Sequence, residues 1–413
     1  MRFTWFCFLL LMATAVFAQN TSKPRSPAEL KFVTVPITLD HNRVVIDADI
    51  PLRDGSQRVR AWVDNGNPEL WLSHRVANLM GLAIDCGSNV CVASGPMRDI
   101  VIGGFTISLA SLKQAKILVK SDQAQAVMIP GINAEMNIPS TVLRNYDIVV
   151  DFPGRHFTIA VPGGIKFNGV SSKIFVNQED GLVQVPSKIE NKSYNLGLDM
   201  GASISFLSPD VFEKLAAAHP QWPRMTGAVA AANMWGMGDE PQWKLLRLEH
   251  LQYGPQFLSG VVFAYLSTDA KKRAGTATAG ILGSCALLNF RVGIDYPRKL
   301  AYFEIGSTFK APDFDVVGLT LRPEIDGRFT VIAIADFDGK PSVPQGQDGV
   351  QTGDHLIAVG GIPTASLTLG QVWSMLRGEA GQERRLTIER DGKQFNVIAK
   401  VQHFLGESTD EKK

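Results

Sequence analysis

One motif occurs twice in this protein, and the duplication restricts the folds open to it. Residues 60–73 read RAWVDNGNPELWLS and residues 195–208 read NLGLDMGASISFLS. Both run apolar residues into Asp-x-Gly and close on Leu-Ser, with Asp64 and Ser73 each 135 positions ahead of Asp199 and Ser208. A second pair follows at a separation of 144: NYDIVVDFP at 145–153 and NFRVGIDYP at 289–297. A lone Asp-x-Gly is an ordinary turn, since Gly accepts positive φ and Asp caps local backbone. Two copies in matched apolar frames, each with its own late strand, imply two related lobes.

Local patterning fills in those lobes. From residue 30 onward KFVTVPITL, RVVIDADIPL and VRAWVD alternate apolar and polar residues between turn signals, which predicts strands. After Ser73 the run HRVANLMGL predicts a short helix capped by Ser73 and ended by Gly81. Its counterpart is PDVFEKLAAA, with Ser208 as cap and Pro209 at the first helical position. The lobes are expected at 30–167 and 168–306, followed by a linker at 307–318. Residues 319–403 change character: strand GRFTVIAIA, a Gly-rich loop, strand HLIAVGG, a helix in TLGQVWSMLRG and two closing strands. That pattern predicts a separate small α+β domain, in a protein that is otherwise all-β.

The first residues, MRFTWFCFLLLMATAVFAQ, combine Arg2, a short apolar core and small residues before Ala18. They predict a signal peptide at 1–18 and export to a periplasm or the extracellular space, with no membrane association after cleavage. Lys+Arg of 41 against Asp+Glu of 40 gives a net charge of +1, and no basic run interleaves with aromatics, so nucleic acid is not an expected partner. Cys86 and Cys91 flank a short loop that a disulfide would close in an oxidising compartment, while Cys285 sits in an apolar run. With seven scattered His and no Cys-x-x-Cys, neither a metal nor another cofactor is expected.

Two carboxylates brought close together cannot both ionise, so they share a proton. The charged member deprotonates a water and the protonated one donates to a substrate carbonyl. At these residues the sequence resembles the retropepsin-like and pepsin-like aspartic proteases, over about 30–306. The second lobe matches better, through its Asp-x-Gly frame and the apolar-apolar-Gly stretch Ile281-Leu282-Gly283; Ile129-Pro130-Gly131 is its looser match in the first. The resemblance implies two homologous β-barrel lobes, catalytic Asp64 and Asp199, and loops supported by Asn65, Gly66, Asn67, Met200, Gly201 and Ala202. Asn65 and Met200 stand where the family carries Thr or Ser. Asn can still exchange one hydrogen bond between the loops, whereas Met offers only a weak sulfur acceptor. Asn67 is expected to support the Asp64 carboxylate. Flap tips are expected at Asn89–Pro96 or Trp235–Gly238. Asp151 and Asp295 are read as turn caps, not catalytic groups.

Residues 349–361, GVQTGDHLIAVGG, resemble the signature of PDZ domains in bacterial secreted proteases. The resemblance implies capture of a free peptide C-terminus by strand addition, with Gly327, Arg328, Phe329, Thr330 and Val331 as peptide-binding residues. The leading expectation is a monomeric secreted aspartic endopeptidase with peptide or protein substrates. The alternative is an inactive pseudoprotease serving as a peptide-binding scaffold. A serine hydrolase lacks support, because no Gly-x-Ser-x-Gly occurs.

Overall fold

The structure, a computed structural model, describes residues 30–87, 91–112, 117–119, 133–178, 180–226, 244–265, 278–306, 309, 314–324, 326–337 and 339–406. The expected signal peptide, Ile129-Pro130-Gly131, Trp235–Gly238 and the start of Asn89–Pro96 lie outside them. Among the described residues no helix is long and apolar enough to cross a membrane.

From Lys31 onward the described residues are mostly strands, arranged as two related all-β lobes around a shared sheet and followed by a small α+β domain. The shared sheet has six strands and is built on the second repeat. Asp147–Asp151 pairs antiparallel with Phe290–Asp295, with Val149 opposite Gly293. Those two residues are separated by the repeat offset of 144, so a pseudo-twofold axis passes between them. The flanks obey the same symmetry: His156–Ala160 and Phe32–Pro36 on one side correspond to Leu300–Ile305 and Val170–Lys173 on the other. The two central strands are mostly buried, and at the turns that follow them the two repeated aspartates act as the sequence implies. Asp151 accepts from the Gly154 amide at 2.7 Å and Asp295 from the Arg298 amide at 3.0 Å.

Among the described residues each lobe is a ten-stranded sheet with one connection pattern used twice. In the first, Gly55–Asp64 carries the aspartate, pairs antiparallel with Arg43–Leu52 and parallel with Met136–Pro139. In the second, Lys192–Asp199 pairs with Val183–Ile189 and Gly280–Gly283 in the same senses. A strand ending in an aspartate between two neighbours has its backbone groups satisfied up to the turn. The helices also correspond. His74–Met80 is capped by Ser73, whose Oγ accepts from the Val76 amide at 3.2 Å, and ends at Gly81 in left-handed geometry. Pro209–Ala218 starts with Pro209, although the Ser208 side chain makes no cap bond. A Cys86–Cys91 disulfide closes the hairpin after the first helix, and Cys285 is buried.

In the C-terminal domain the strand order is Leu319–Pro323, Phe329–Ile334, His355–Val359, Glu383–Arg390, Lys393–Lys400. The helix Leu369–Leu376 begins with a capping box between Thr368 and Gln371. Asp354 of the Gly-Asp turn is buried and held by a two-pronged ion pair with Arg390, both contacts at 2.7 Å. Within the stretch expected as a linker, Asp315–Val316 pairs with Gln402–His403 and so belongs to this domain.

The placement of Phe329 corrects the expected peptide groove. Phe329–Ile334 pairs along its length with Leu319–Pro323, and on its other side Phe329 and Thr330 pair with Leu356 and His355. Its ladder positions are taken, so no added strand can use Phe329, Thr330 or Val331. Gly327 and Arg328 form the turn between the first two strands, where Arg328 pairs with Asp326 at 2.7 Å. Leu319–Pro323 ends the sheet order.

Candidate active site

The two Asp-x-Gly turns meet at the junction of the lobes. Asp64 and Asp199 are both buried, and each loop's glycine lies against the other loop's carboxylate. A Cβ on Gly66 would stand 2.2 Å from Asp199 Oδ2, and one on Gly201 would stand 2.4 Å from Asp64 Oδ1 and 3.1 Å from Asp199 Oδ1. Such separations are far inside van der Waals contact, so only glycine lets the carboxylates approach from opposite lobes. Neither glycine has positive φ. The requirement is space, not backbone conformation.

Hydrogen bonds distinguish the two acids. Asp199 Oδ1 accepts from the Gly201 amide at 2.8 Å and the Ala202 amide at 3.1 Å. Asp64 Oδ1 accepts from the Gly66 amide at 3.3 Å, and its buried Oδ2 has no hydrogen-bond partner among the described residues. Burial raises the pKa of both. The neighbouring Asp199 charge pushes Asp64 up further, against smaller opposing effects of Asn137, Gly66 and Arg43. For Asp199 the amides of Gly201 and Ala202, and then Arg43, oppose desolvation. The negative charge therefore resides preferentially on Asp199 and the proton on Asp64, although titration is a property of the pair.

Asn65 and Met200 are the two departures from the aspartic-protease pattern, and they prove complementary. Asn65 Nδ2 donates to Leu198 O at 2.6 Å, and Asn65 Oδ1 accepts from the Met200 amide at 2.8 Å. One buried amide thus makes two bonds across the loops. Met200 contributes its backbone, and its side chain is buried in the core. Asn67 does not support Asp64: its Oδ1 accepts from the Glu69 amide at 3.0 Å, closing a local turn two residues ahead.

Four contributors escaped the sequence reading. Ser140 and Ser284, again 144 apart, open short helical turns and donate their amides to Asn67 O at 2.9 Å and Ala202 O at 2.8 Å, fixing each aspartate loop from behind. Ser284 Oγ also donates to Met200 O at 2.8 Å. Asn137 lies in the strand beside Asp64: in register, Asn137-Ile138-Pro139 takes the place of Ile281-Leu282-Gly283, with Pro139 opposite Asp64 as Gly283 is opposite Asp199. The 144 offset of the second repeat leads straight to 137–139. The fourth is Arg43, a fully buried guanidinium whose Nε donates to Gly201 O at 2.9 Å.

No protein-family model and no curated protein matches the sequence. Among solved structures it is similar to an aspartic proteinase from Irpex lacteus, at 15% identity and a TM-score of 0.40, over 67% of this protein and 98% of that one.

Proposed function

We propose that the protein is an aspartic endopeptidase that hydrolyses peptide bonds with the Asp64/Asp199 pair. The observation that carries this reading is the mutual fit of the two loops, in which each glycine leaves room for the opposite carboxylate and the two acids differ in hydrogen bonding. In the reaction, ionised Asp199 takes a proton from a water as its oxygen attacks the scissile carbonyl carbon. Protonated Asp64 donates to the carbonyl oxygen, giving a neutral gem-diol. Asp199 then gives its proton to the amide nitrogen while ionised Asp64 takes one from a gem-diol hydroxyl, so the C–N bond breaks, the amine and carboxylic acid leave, and the pair returns to its starting state. Burial of both acids favours a shared proton over two charges.

The C-terminal domain is read as a PDZ-type module that captures a free peptide end by strand addition, now at the edge of Leu319–Pro323. An N-terminal export signal at 1–18 belongs to the same reading.

The test is cleavage of an unfolded-protein mixture by residues 19–413 between about pH 3 and 7, beside Asp64→Asn and Asp199→Asn. Cutting by the unmutated protein that disappears in both variants supports the reading. A folded protein that binds peptide ends and cuts at no pH overturns it in favour of a peptide-binding scaffold.

A further inference from the structure

The buried Arg43 is the last residue of a turn that touches both the aspartate loops and the C-terminal domain. His41 and Asn42, at φ 48° and 64°, form a two-residue hairpin between Thr38–Asp40 and Arg43–Leu52, and Asp40 pairs with Arg43 across it. Toward the C-terminal domain, Asp40 Oδ1 accepts from Thr368 Oγ1 at 2.9 Å, and the Gly370 amide also points to this carboxylate. His41 is buried with its ring 5.2 Å from that of Trp373. Toward the second lobe, Asn42 Nδ2 donates to Ser203 O at 3.3 Å and Arg43 Nε to Gly201 O at 2.9 Å. Four consecutive residues therefore join the start of the Leu369–Leu376 helix to the loop that follows Asp199.

Symmetry shows that this device is additional to the duplicated fold. Continuing the register Val45↔Trp62 by two places sets Arg43 beside Asp64, and continuing Val183↔Leu198 by one sets Leu182 beside Asp199. A buried leucine thus stands in one lobe where a buried guanidinium stands in the other. Burying an arginine is costly unless it is paired and hydrogen-bonded, and the anionic groups around this one are Asp64, Asp199 and Asp40.

We propose that Arg43 is a positioning residue for the aspartate pair, acting through Gly201, and that the C-terminal domain holds Arg43 in place through the Asp40–Arg43 turn. On this view the C-terminal domain is part of the support of the active site and not only a substrate-capturing appendage. The consequence for catalysis rests on the endopeptidase reading; the structural coupling does not.

Gly370 offers a clean way to break the contact. A Cβ there would stand 2.3 Å from Asp40 Oδ1 and 2.4 Å from the His41 amide nitrogen, yet alanine suits the helix itself better than glycine. The experiment is amide hydrogen exchange on residues 19–413 carrying Gly370→Ala, Arg43→Met or Arg43→Lys. We expect the Met200, Gly201 and Ala202 amides to exchange roughly tenfold faster or more in Gly370→Ala and Arg43→Met, relative to Val150 and Ile294 in the shared sheet, with Arg43→Lys closer to the unmutated protein. If Arg43→Met fails to fold, Gly370→Ala still decides. Unmutated exchange rates at 200–202 in Gly370→Ala overturn the proposal. Exchange is read whether or not the protein cleaves peptides, so loss of the endopeptidase reading would not be mistaken for loss of this one. Where cleavage is observed, Arg43→Met is expected to move both limbs of its pH profile upward, because a cation facing both carboxylates is gone, and Arg43→Lys to restore them. The other titratable groups facing the pair, Tyr253 and Tyr296 beside Asp199, are retained in these variants, as are Asp40 and His41, which lose the Arg43 charge in Arg43→Met and keep a cation in Arg43→Lys.

Discussion

Asn65 spans the interface between the two aspartate loops, donating to Leu198 O at 2.6 Å and accepting from the Met200 amide at 2.8 Å. Both partners are backbone groups in a buried place, so removing the amide leaves a donor and an acceptor without replacement. Asn65→Ala is expected to lower stability by about 2–4 kcal/mol, read by denaturant unfolding. Asn65→Thr should recover much of the loss, since one hydroxyl both donates and accepts. Equal losses in the two variants would show that the bridge contributes little beyond packing.

Gly66 and Gly201 fail for a different reason when substituted. An alanine Cβ at 66 would fall 2.2 Å from Asp199 Oδ2, so either the loop or the carboxylate must move. Gly66→Ala is expected to abolish cleavage and to cost on the order of 1–3 kcal/mol of stability through overpacking. The measurement is single-turnover cleavage on protein whose folding has been verified by circular dichroism. An active Gly66→Ala would mean that the carboxylates do not need to meet as closely as the structure places them.

The raised carboxyl pKa values make stability depend on pH with a definite sign. A buried acid whose folded pKa lies above its unfolded value binds its proton more tightly when folded. It stabilises below pH 3.8, and the stabilisation is lost as pH rises through about 6 for Asp199, with Asp64 raised in the same direction by burial and by the Asp199 charge. Asp64→Asn removes this dependence at one site and relieves the other. It should be more stable than the unmutated protein near pH 7, by on the order of 2–3 kcal/mol, with the advantage shrinking toward pH 4. His41 acts in the opposite direction. Burial, then Arg43, depress its pKa from 6.5 to about 3, so its neutral ring favours the fold above pH 6.5 and the benefit shrinks as pH falls. That contribution is common to both proteins and cancels in the comparison. A pH-independent difference in melting temperature would contradict a proton shared by the pair.

The parts of the site that are legible in the sequence are those the duplication wrote twice: Asp64 with Asp199, Gly66 with Gly201, and the strands crossing at Val149 and Gly293. A repeat separates shared requirements from accidental turns, which is why single motifs elsewhere are less informative. Ser140 and Ser284 are written twice as well, and the offset of 144 leads to them, but each reads alone as an ordinary residue after Pro139 or Gly283. Arg43 has no such signal. It is a charged residue at the start of a strand, a pattern that ordinarily marks a solvated end, and its partner Gly201 is 158 positions away. Asn67 misleads because a side chain beside a carboxylate in sequence can satisfy its own turn instead, as it does with Glu69. Phe329–Ile334 misleads because strand periodicity predicts a strand but not which strand lies at the edge. That depends on where Leu319–Pro323 pairs.

The position of that edge makes the last prediction. If the C-terminal domain receives a peptide end by strand addition, the backbone amides that gain partners should belong to the strand that ends the sheet order, Leu319–Pro323, and not to Phe329–Ile334, whose first residues lie between two strands. Titration with a peptide carrying a free C-terminus, followed by amide hydrogen exchange, should therefore slow exchange at residues 319–322 and leave 329–331 near their starting rates; Pro323 has no amide to report. The same peptide with an amidated C-terminus should bind more weakly, because the carboxylate it lacks is what loop N–H groups would receive. Slowed exchange confined to 329–331 would require the hairpin to open before binding. Slowing at neither strand, with binding still detected, would place the peptide elsewhere and remove strand addition from the account of this domain.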